Sequence, residues 1–250
     1  MSCALCKKDT ELRKSHLIPK FVYKRIRLHP KSRFRSIDNI KVPMQDGEKY
    51  TMLCHECEER FSALETFFSK HYFDPYLSTG QVAKIKDKNM INDFILSVAW
   101  RILWNDLFCQ NSFEDKEYIK NEFQTFESDL RHYLLGDKKD YLNRFENSVY
   151  TLDSLIKCPK SIAEGTLFGY SYYPNHYIGC LVIVYYAGLV FVTRYTPSKS
   201  IVMCLGYKAK TNLKEIVAEE ISRQFNYIRK QENEVMTPEL KRKIAERYKE

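Results

Sequence analysis

The spacing of hydrophobic positions in the middle of the chain predicts a series of helices. Residues 89–109 present a wide apolar face, which indicates a mostly buried helix. A second helix is predicted to be capped by Ser112 and to stop at Gly136. A third is predicted over residues 137–149. The short links between these helices predict an antiparallel helical region over residues 81–160.

The last third of the chain contains short apolar and aromatic-rich segments, which are typical of strands. Asn212 and Glu215 then resemble a capping box at the start of a long helix. We therefore predict an antiparallel sheet with C-terminal helices over residues 161–250. The predicted strands are Leu167–Tyr173, Ile178–Tyr185, Leu189–Tyr195 and Ile201–Leu205.

The first 80 residues show shorter elements. A helix is predicted to begin with Pro19 at its first position. A short strand is predicted over residues 49–53, followed by a helix to about Lys70. Helices and strands that fall in separate regions of the chain predict the α+β class. The first of these regions is an N-terminal module over residues 1–80.

The composition is that of an ordinary globular protein, with 44% hydrophobic and 29% charged residues among 250. The N-terminus lacks the apolar core of a secretory signal, so we expect a cytoplasmic protein. The longest apolar run, residues 178–192, is shorter than the roughly 20 residues of a membrane span. We interpret it as a buried hairpin and expect no membrane association.

Two Cys-x-x-Cys pairs carry the clearest chemical signal, at Cys3 and Cys6 and again at Cys54 and Cys57. In a reducing compartment such pairs indicate metal binding more often than disulfides. Four thiolates make a tetrahedral site suited to Zn²⁺. We therefore predict a structural zinc ion held by these four cysteines.

The residues around the two pairs resemble the HNH endonuclease family, also known as ββα-metal or His-Me finger nucleases. The resemblance covers residues 3–65 and rests on His16-Leu17-Ile18-Pro19 after the first pair and on the helix that the second pair opens. It implies that His16 is the general base that activates water. It also implies a catalytic Mg²⁺ or similar ion, for which Glu58 and Asn39 are the candidate ligands. The alternative is that His16 is a structural histidine beside the zinc site.

This sequence departs from the family pattern in four respects. Asn39 lacks the family's usual context, and Pro19 begins a helix where the family continues into a loop. Ser15 stands where the family has an Asp or His metal ligand before the base. Ser62 stands at the usual position of the helix ligand, so Glu58 and Glu65 are the acidic substitutes on that helix. The four cysteines and His16 therefore match the family pattern, whereas the candidate ligands of the catalytic metal match it less closely.

The charge of the chain is concentrated beside the first cysteine pair. Residues 7–41 carry twelve Lys or Arg and three acidic residues, a net charge of +9, against +8 for the whole chain. Such a stretch favours contacts with nucleic-acid phosphates. As the partner we expect DNA rather than RNA. The candidate contact residues are Arg13, Lys14, Lys20, Lys24, Arg25 and Arg27.

The sequence thus predicts a metal-dependent HNH-like endonuclease, for which the resemblance also implies a role in bacterial defence against phage. A non-catalytic zinc module that binds nucleic acid, with a C-terminal region that recruits a protein partner, is the main alternative. The third alternative is a protein–protein adaptor in which the zinc ion only stabilises the fold. A nuclease depends on His16 and on added divalent metal, whereas a binder or adaptor does not.

Overall fold

The structure is a computed structural model of the α+β class, as the sequence predicts, with a cysteine cluster near the N-terminus and an antiparallel sheet in the C-terminal half. Asn39, Arg27 and the predicted strand Ile201–Leu205 lie outside the described residues. The residues that the structure describes are 1–26, 34–35, 43–44, 47–82, 87–113, 116–157, 168–174, 179–197, 212–235, 237–239, 242 and 246.

The N-terminal module is built on a strand pair followed by a helix. Strand β1 (Leu12–His16) pairs antiparallel with β4 (Lys49–Cys54), and helix α2 (His55–Phe68) follows β4 without a loop. Between the two strands lie helix α1 (Lys20–Arg25) and two short paired strands, β2 (Phe34–Arg35) and β3 (Pro43–Met44). The predicted strand at residues 49–53 is therefore confirmed.

Two helix boundaries in this module differ from the prediction. Pro19 is the N-cap of α1 rather than its first helical residue, because its extended ψ of 139° lies outside the helical range. The helix predicted to run to about Lys70 changes to a π-helical segment at Ser69–Phe73. It then continues as α3 (Asp74–Thr79) and stops at Gly80, whose φ is +69°.

The middle region begins with the predicted buried helix. Helix α4 (Lys88–Phe108) is capped by the Asp87 side chain, which accepts hydrogen bonds from the Asn89 and Met90 N–H groups. Helix α5 (Glu117–Leu135) ends at Gly136 as predicted, but its N-cap position is Lys116 and not Ser112.

The predicted third helix at residues 137–149 is wrong. Only α6 (Lys138–Tyr141) and a 3₁₀ turn at Leu142–Arg144 form before the chain enters strand β5 (Phe145–Thr151). The reason is tertiary: β5 pairs along its whole length with a strand about 45 residues further on. Phe145 alone packs against three aromatic rings, those of Phe126, Tyr133 and Tyr195.

The described part of the main sheet has the antiparallel order β5-β8-β7-β6. Strands β6 (Phe168–Tyr173), β7 (Cys180–Tyr186) and β8 (Leu189–Tyr195) begin and end within two residues of the predicted bounds. Ala187 and Gly188 form the two-residue turn between β7 and β8, both with positive φ, as the twist of a tight hairpin requires.

The sheet lies between two helical layers. Residues of α4 pack on one face beside Val184 and Phe191. On the other face lies the long helix α8 (Leu213–Val235), which contributes Val217, Ile221 and Phe225. Every residue of β7 is therefore buried. A further short helix, α7 (Leu152–Leu155), follows β5 and packs against α8.

Helix α8 begins as the capping residues predict. The Asn212 side-chain oxygen accepts the Lys214 N–H at 3.2 Å, and its amide nitrogen donates to Glu215 Oε1 at 2.8 Å.

One continuous cluster of buried hydrophobic side chains extends from Cys3 to Tyr195 and joins the N-terminal module to α4, α5 and the sheet. Among the described residues, no helix combines the length and the apolar character that a bilayer span requires.

Candidate metal centre

The four paired cysteines meet at one point. Their Sγ atoms all lie within 4.8 Å of one another, and those of Cys6 and Cys54 are 3.8 Å apart. A regular tetrahedron with zinc–sulfur bonds of about 2.3 Å has edges of about 3.8 Å. The cluster can therefore hold a metal ion such as zinc, with each pair supplying two ligands.

Each pair of cysteines is placed by a different local structure. The first forms a turn in which the Cys3 N–H donates to the Lys8 carbonyl and the Lys7 N–H donates to the Cys3 carbonyl, both at 2.9 Å. The Ala4 N–H then joins this turn to β4 through the Met52 carbonyl at 2.8 Å. The second pair uses the junction of β4 and α2, where Cys54 is the helix N-cap and Cys57 lies in the first turn.

The electrostatics of the cluster favour a bound cation. Burial raises the pKa of the Cys3 thiol, but hydrogen bonds from backbone N–H groups, that of Cys54 foremost, outweigh it and lower this pKa to about 7. Burial also raises the pKa of Cys57, and the neighbouring sulfurs of Cys54 and Cys3 raise it further. Four thiolates this close repel one another unless a cation lies between them, so the donor set fits a divalent metal.

His16 lies at the end of β1, opposite Lys49 in the strand register. It is half-buried, and its ring centroid is 6.3 Å from that of Tyr23. Its backbone carbonyl accepts a hydrogen bond at 3.0 Å from the Arg101 guanidinium of α4. The end of the strand is thus attached to the helical region.

Ser15 and Glu58 connect β1 to α2. Ser15 is fully buried, and its hydroxyl donates a hydrogen bond to Glu58 Oε2. The strand position just before His16 therefore contacts the helix position that the sequence offers as a metal ligand.

The other acidic candidate, Glu65, is already engaged. Its Oε1 accepts a hydrogen bond at 2.7 Å from Arg101, whose side chain is only 2% exposed. This ion pair joins α2 to α4.

The candidate phosphate-binding residues in the described chain are all exposed. Arg13 and Lys14 lie on β1, and Lys20, Lys24 and Arg25 lie on α1. Arg25 donates two hydrogen bonds of 3.0 Å to Asp74 at the start of α3, so its charge is shared with that carboxylate.

Sequence reasoning missed Arg101, although a signal was present. This arginine interrupts the most apolar of the long helices that the structure describes, where a charged residue is rarely buried without a partner. The partners, Glu65 and the His16 carbonyl, lie 36 and 85 residues away in the sequence. Spacing rules within one helix therefore could not find them.

Comparison with protein-family models, with curated proteins and with solved structures gives no match to this chain.

Proposed function

We propose that this protein is a metal-dependent, HNH-like endonuclease that hydrolyses phosphodiester bonds of nucleic acid, with DNA favoured over RNA. The observation that carries the proposal is the strand–strand–helix unit closed by four cysteines. In it, His16 ends the first strand and Ser15 contacts Glu58 on the helix. By the same resemblance, the proposed setting is bacterial defence against phage.

In this proposal the cysteine cluster binds a structural Zn²⁺ and takes no part in the chemistry. The ion would join the first turn of the chain to the junction of β4 and α2. Because β1 pairs with β4, this holds the strand that carries His16 in a constant relation to α2.

His16 acts as the general base in this scheme. An imidazole has an unperturbed pKa near neutrality, so it can take a proton from water at physiological pH. The Arg101 hydrogen bond to its carbonyl limits movement of the backbone that carries the ring. Such restraint keeps a base in its productive position.

Glu58 is the residue that would hold the catalytic Mg²⁺ or similar ion, which would stabilise the negative charge that develops on the phosphate. It is half-buried and presents a hard carboxylate oxygen, the donor that Mg²⁺ prefers. One carboxylate is sufficient when substrate phosphate and water complete the coordination, as is common for Mg²⁺ in phosphoryl-transfer sites. The Ser15 hydroxyl orients that carboxylate.

His16→Ala is expected to lower the rate of plasmid cleavage by about 10²- to 10⁴-fold, the usual contribution of a general base. The measurement incubates zinc-loaded protein with plasmid DNA and with RNA in the presence of Mg²⁺ or Mn²⁺. Zinc content and melting temperature are measured in parallel and should stay within error of the wild type.

His55→Ala is the matched control, because His55 is an exposed histidine on the first turn of α2 with a side chain 62% accessible. It should cleave like the wild type. Cleavage by His16→Ala at the wild-type rate, or no cleavage by the wild type with any divalent ion tried, contradicts the proposal.

A second candidate function is non-catalytic binding of nucleic acid, favoured by the exposed basic side chains of β1 and α1. Each phosphate contact contributes about 0.9 to the slope of log K against log salt on duplex DNA. The double variant Arg13→Ala/Lys14→Ala should therefore reduce that slope by about 2. Fluorescence anisotropy with labelled duplex DNA at several salt concentrations measures it.

Lys88→Ala removes an exposed lysine at the start of α4 and should leave the slope unchanged. An unchanged slope in the β1 double variant would remove that strand from the interface. A binder without catalysis would show the salt slope but no dependence on His16, and an adaptor would show neither.

A further inference from the structure

A pocket of about 330 Å³ opens on the side of the molecule where α4 ends. It lies between the turn after α4, the strand β6 at one end of the described sheet and the helix α8. Its volume is within the range of about 300 to 1,000 Å³ that small-molecule sites occupy. Asp106, Ser171 and Tyr172 line its interior, and the exposed Lys116 and Arg223 lie at its rim.

A buried carboxylate lies at the inner end. Asp106 is 5% exposed, and its Oδ1 accepts hydrogen bonds from the Tyr170 hydroxyl at 3.0 Å and the Asn105 amide at 3.3 Å. Burial raises the pKa of Asp106, and these hydrogen bonds oppose the shift. The inner pocket is thus a polar acceptor site surrounded by low-dielectric walls.

The Asp106 carboxylate also accepts a hydrogen bond from the Tyr172 hydroxyl. The Oγ of Ser171, a residue only 7% exposed that also lines the pocket, has no hydrogen-bond partner within the described part of the chain. A buried polar group without a partner is unfavourable. A polar ligand in the pocket would satisfy it.

The wall of the pocket is aromatic. The rings of Phe113 and Phe123 pack against that of Tyr172, with centroids 5.1 and 5.2 Å away. Such walls favour flat ligands, which can stack on or against their rings.

The rim of the pocket is cationic, in contrast to its interior. Lys116 is exposed, and the Arg223 side chain is 69% exposed. Arg223 is positioned by Glu220, a carboxylate with only 2% exposure that accepts its hydrogen bond. Arginine and lysine in this position are suited to a phosphate group.

We propose that this pocket binds a mononucleotide, with the base directed toward Asp106 and Tyr172 and the phosphate held by Lys116 and Arg223. A base supplies N–H donors for the carboxylate, an acceptor for the Ser171 hydroxyl and a flat ring for the aromatic wall. The phosphate then occupies the rim, where charge remains hydrated. This proposal is independent of the nuclease activity, because no residue that it uses belongs to the cysteine cluster, β1 or α2.

The test is isothermal titration calorimetry of the full-length, metal-loaded protein with AMP, GMP, CMP and UMP, each up to millimolar concentration. At least one of these nucleotides should bind at one per chain. The rim variant Lys116→Ala/Arg223→Ala should weaken that binding at least tenfold. Asp106→Asn should weaken it as well, with its fold checked by circular dichroism.

The rim variant changes only exposed side chains, so it keeps the test valid if Asp106→Asn fails to fold. Lys139→Ala, at an exposed lysine on α6, is the matched control and should bind like the wild type. The proposal is overturned if no nucleotide binds, if the rim variant binds as tightly as the wild type, or if inorganic phosphate alone binds equally well.

Discussion

Cys57→Ser is expected to abolish stoichiometric zinc binding and to unfold the strand pair and helix of the N-terminal module. The serine hydroxyl is a far poorer zinc ligand than a thiolate, and Cys57 is only 7% exposed, so water cannot easily replace it. Structural zinc contributes about 10 to 16 kcal/mol of apparent binding free energy in zinc-finger peptides at neutral pH. That value is comparable to the whole free energy of unfolding of a typical domain, about 5 to 15 kcal/mol.

Elemental analysis of the purified protein measures the zinc content, and two-dimensional amide NMR shows whether β1, β4 and α2 remain folded. Cys109→Ser is the matched control, because Cys109 is an exposed cysteine at the end of α4 that lies outside the cluster. It should bind one zinc ion per chain. Retention of one zinc ion and of a native spectrum by Cys57→Ser would show that the cluster does not hold the ion as a four-thiolate site.

The cysteine cluster was predictable because its signal is local. Each Cys-x-x-Cys pair brings two thiolates close together on its own, so only the meeting of two pairs had to be inferred. Buried helices and the β7–β8 hairpin were predictable for the same reason. Their hydrophobic spacing, the stop at Gly136 and the Ala187-Gly188 turn all act within a few residues.

Strand β5 was missed because its signal is not local. The stretch Phe145–Thr151 contains Asn, Ser and Glu as well as aromatic and β-branched residues, so a helix and a strand are both compatible with it. Pairing with Leu189–Tyr195 and the aromatic contacts of Phe145 decide between them. Tertiary contacts of this kind outweigh weak local preferences.

The candidate site was predictable only in part, for a related reason. A resemblance pointed to His16 and Glu58, but it gave no function to Ser15, which proves to be the hydrogen-bond donor to Glu58. It also treated Glu65 as a possible substitute ligand, whereas that carboxylate is bound to Arg101. Interactions between side chains far apart in sequence determine which acidic residue is held in a buried ion pair.

Arg101→Met is expected to lower the free energy of unfolding by about 3 to 5 kcal/mol, the cost of breaking a buried ion pair by removing one partner. The guanidinium donates to Glu65 at 2.7 Å, to the His16 carbonyl at 3.0 Å and to the Ser97 carbonyl at 3.3 Å. It also lies 5.4 Å from the centre of the Phe61 ring. Methionine retains the apolar contacts but leaves the carboxylate and the carbonyls without their donor.

Urea unfolding monitored by circular dichroism measures the loss in the free energy of unfolding. Arg60→Met is the matched control, because Arg60 is exposed on the same helix as Glu65. The control should change stability by less than about 0.5 kcal/mol.

The double variant Arg101→Met/Glu65→Met should recover part of the loss, because it removes the unpaired carboxylate. Recovery should be incomplete, since the His16 carbonyl still lacks its donor. A loss below about 1 kcal/mol in Arg101→Met would mean that α4 contributes little to holding the strand that ends at His16.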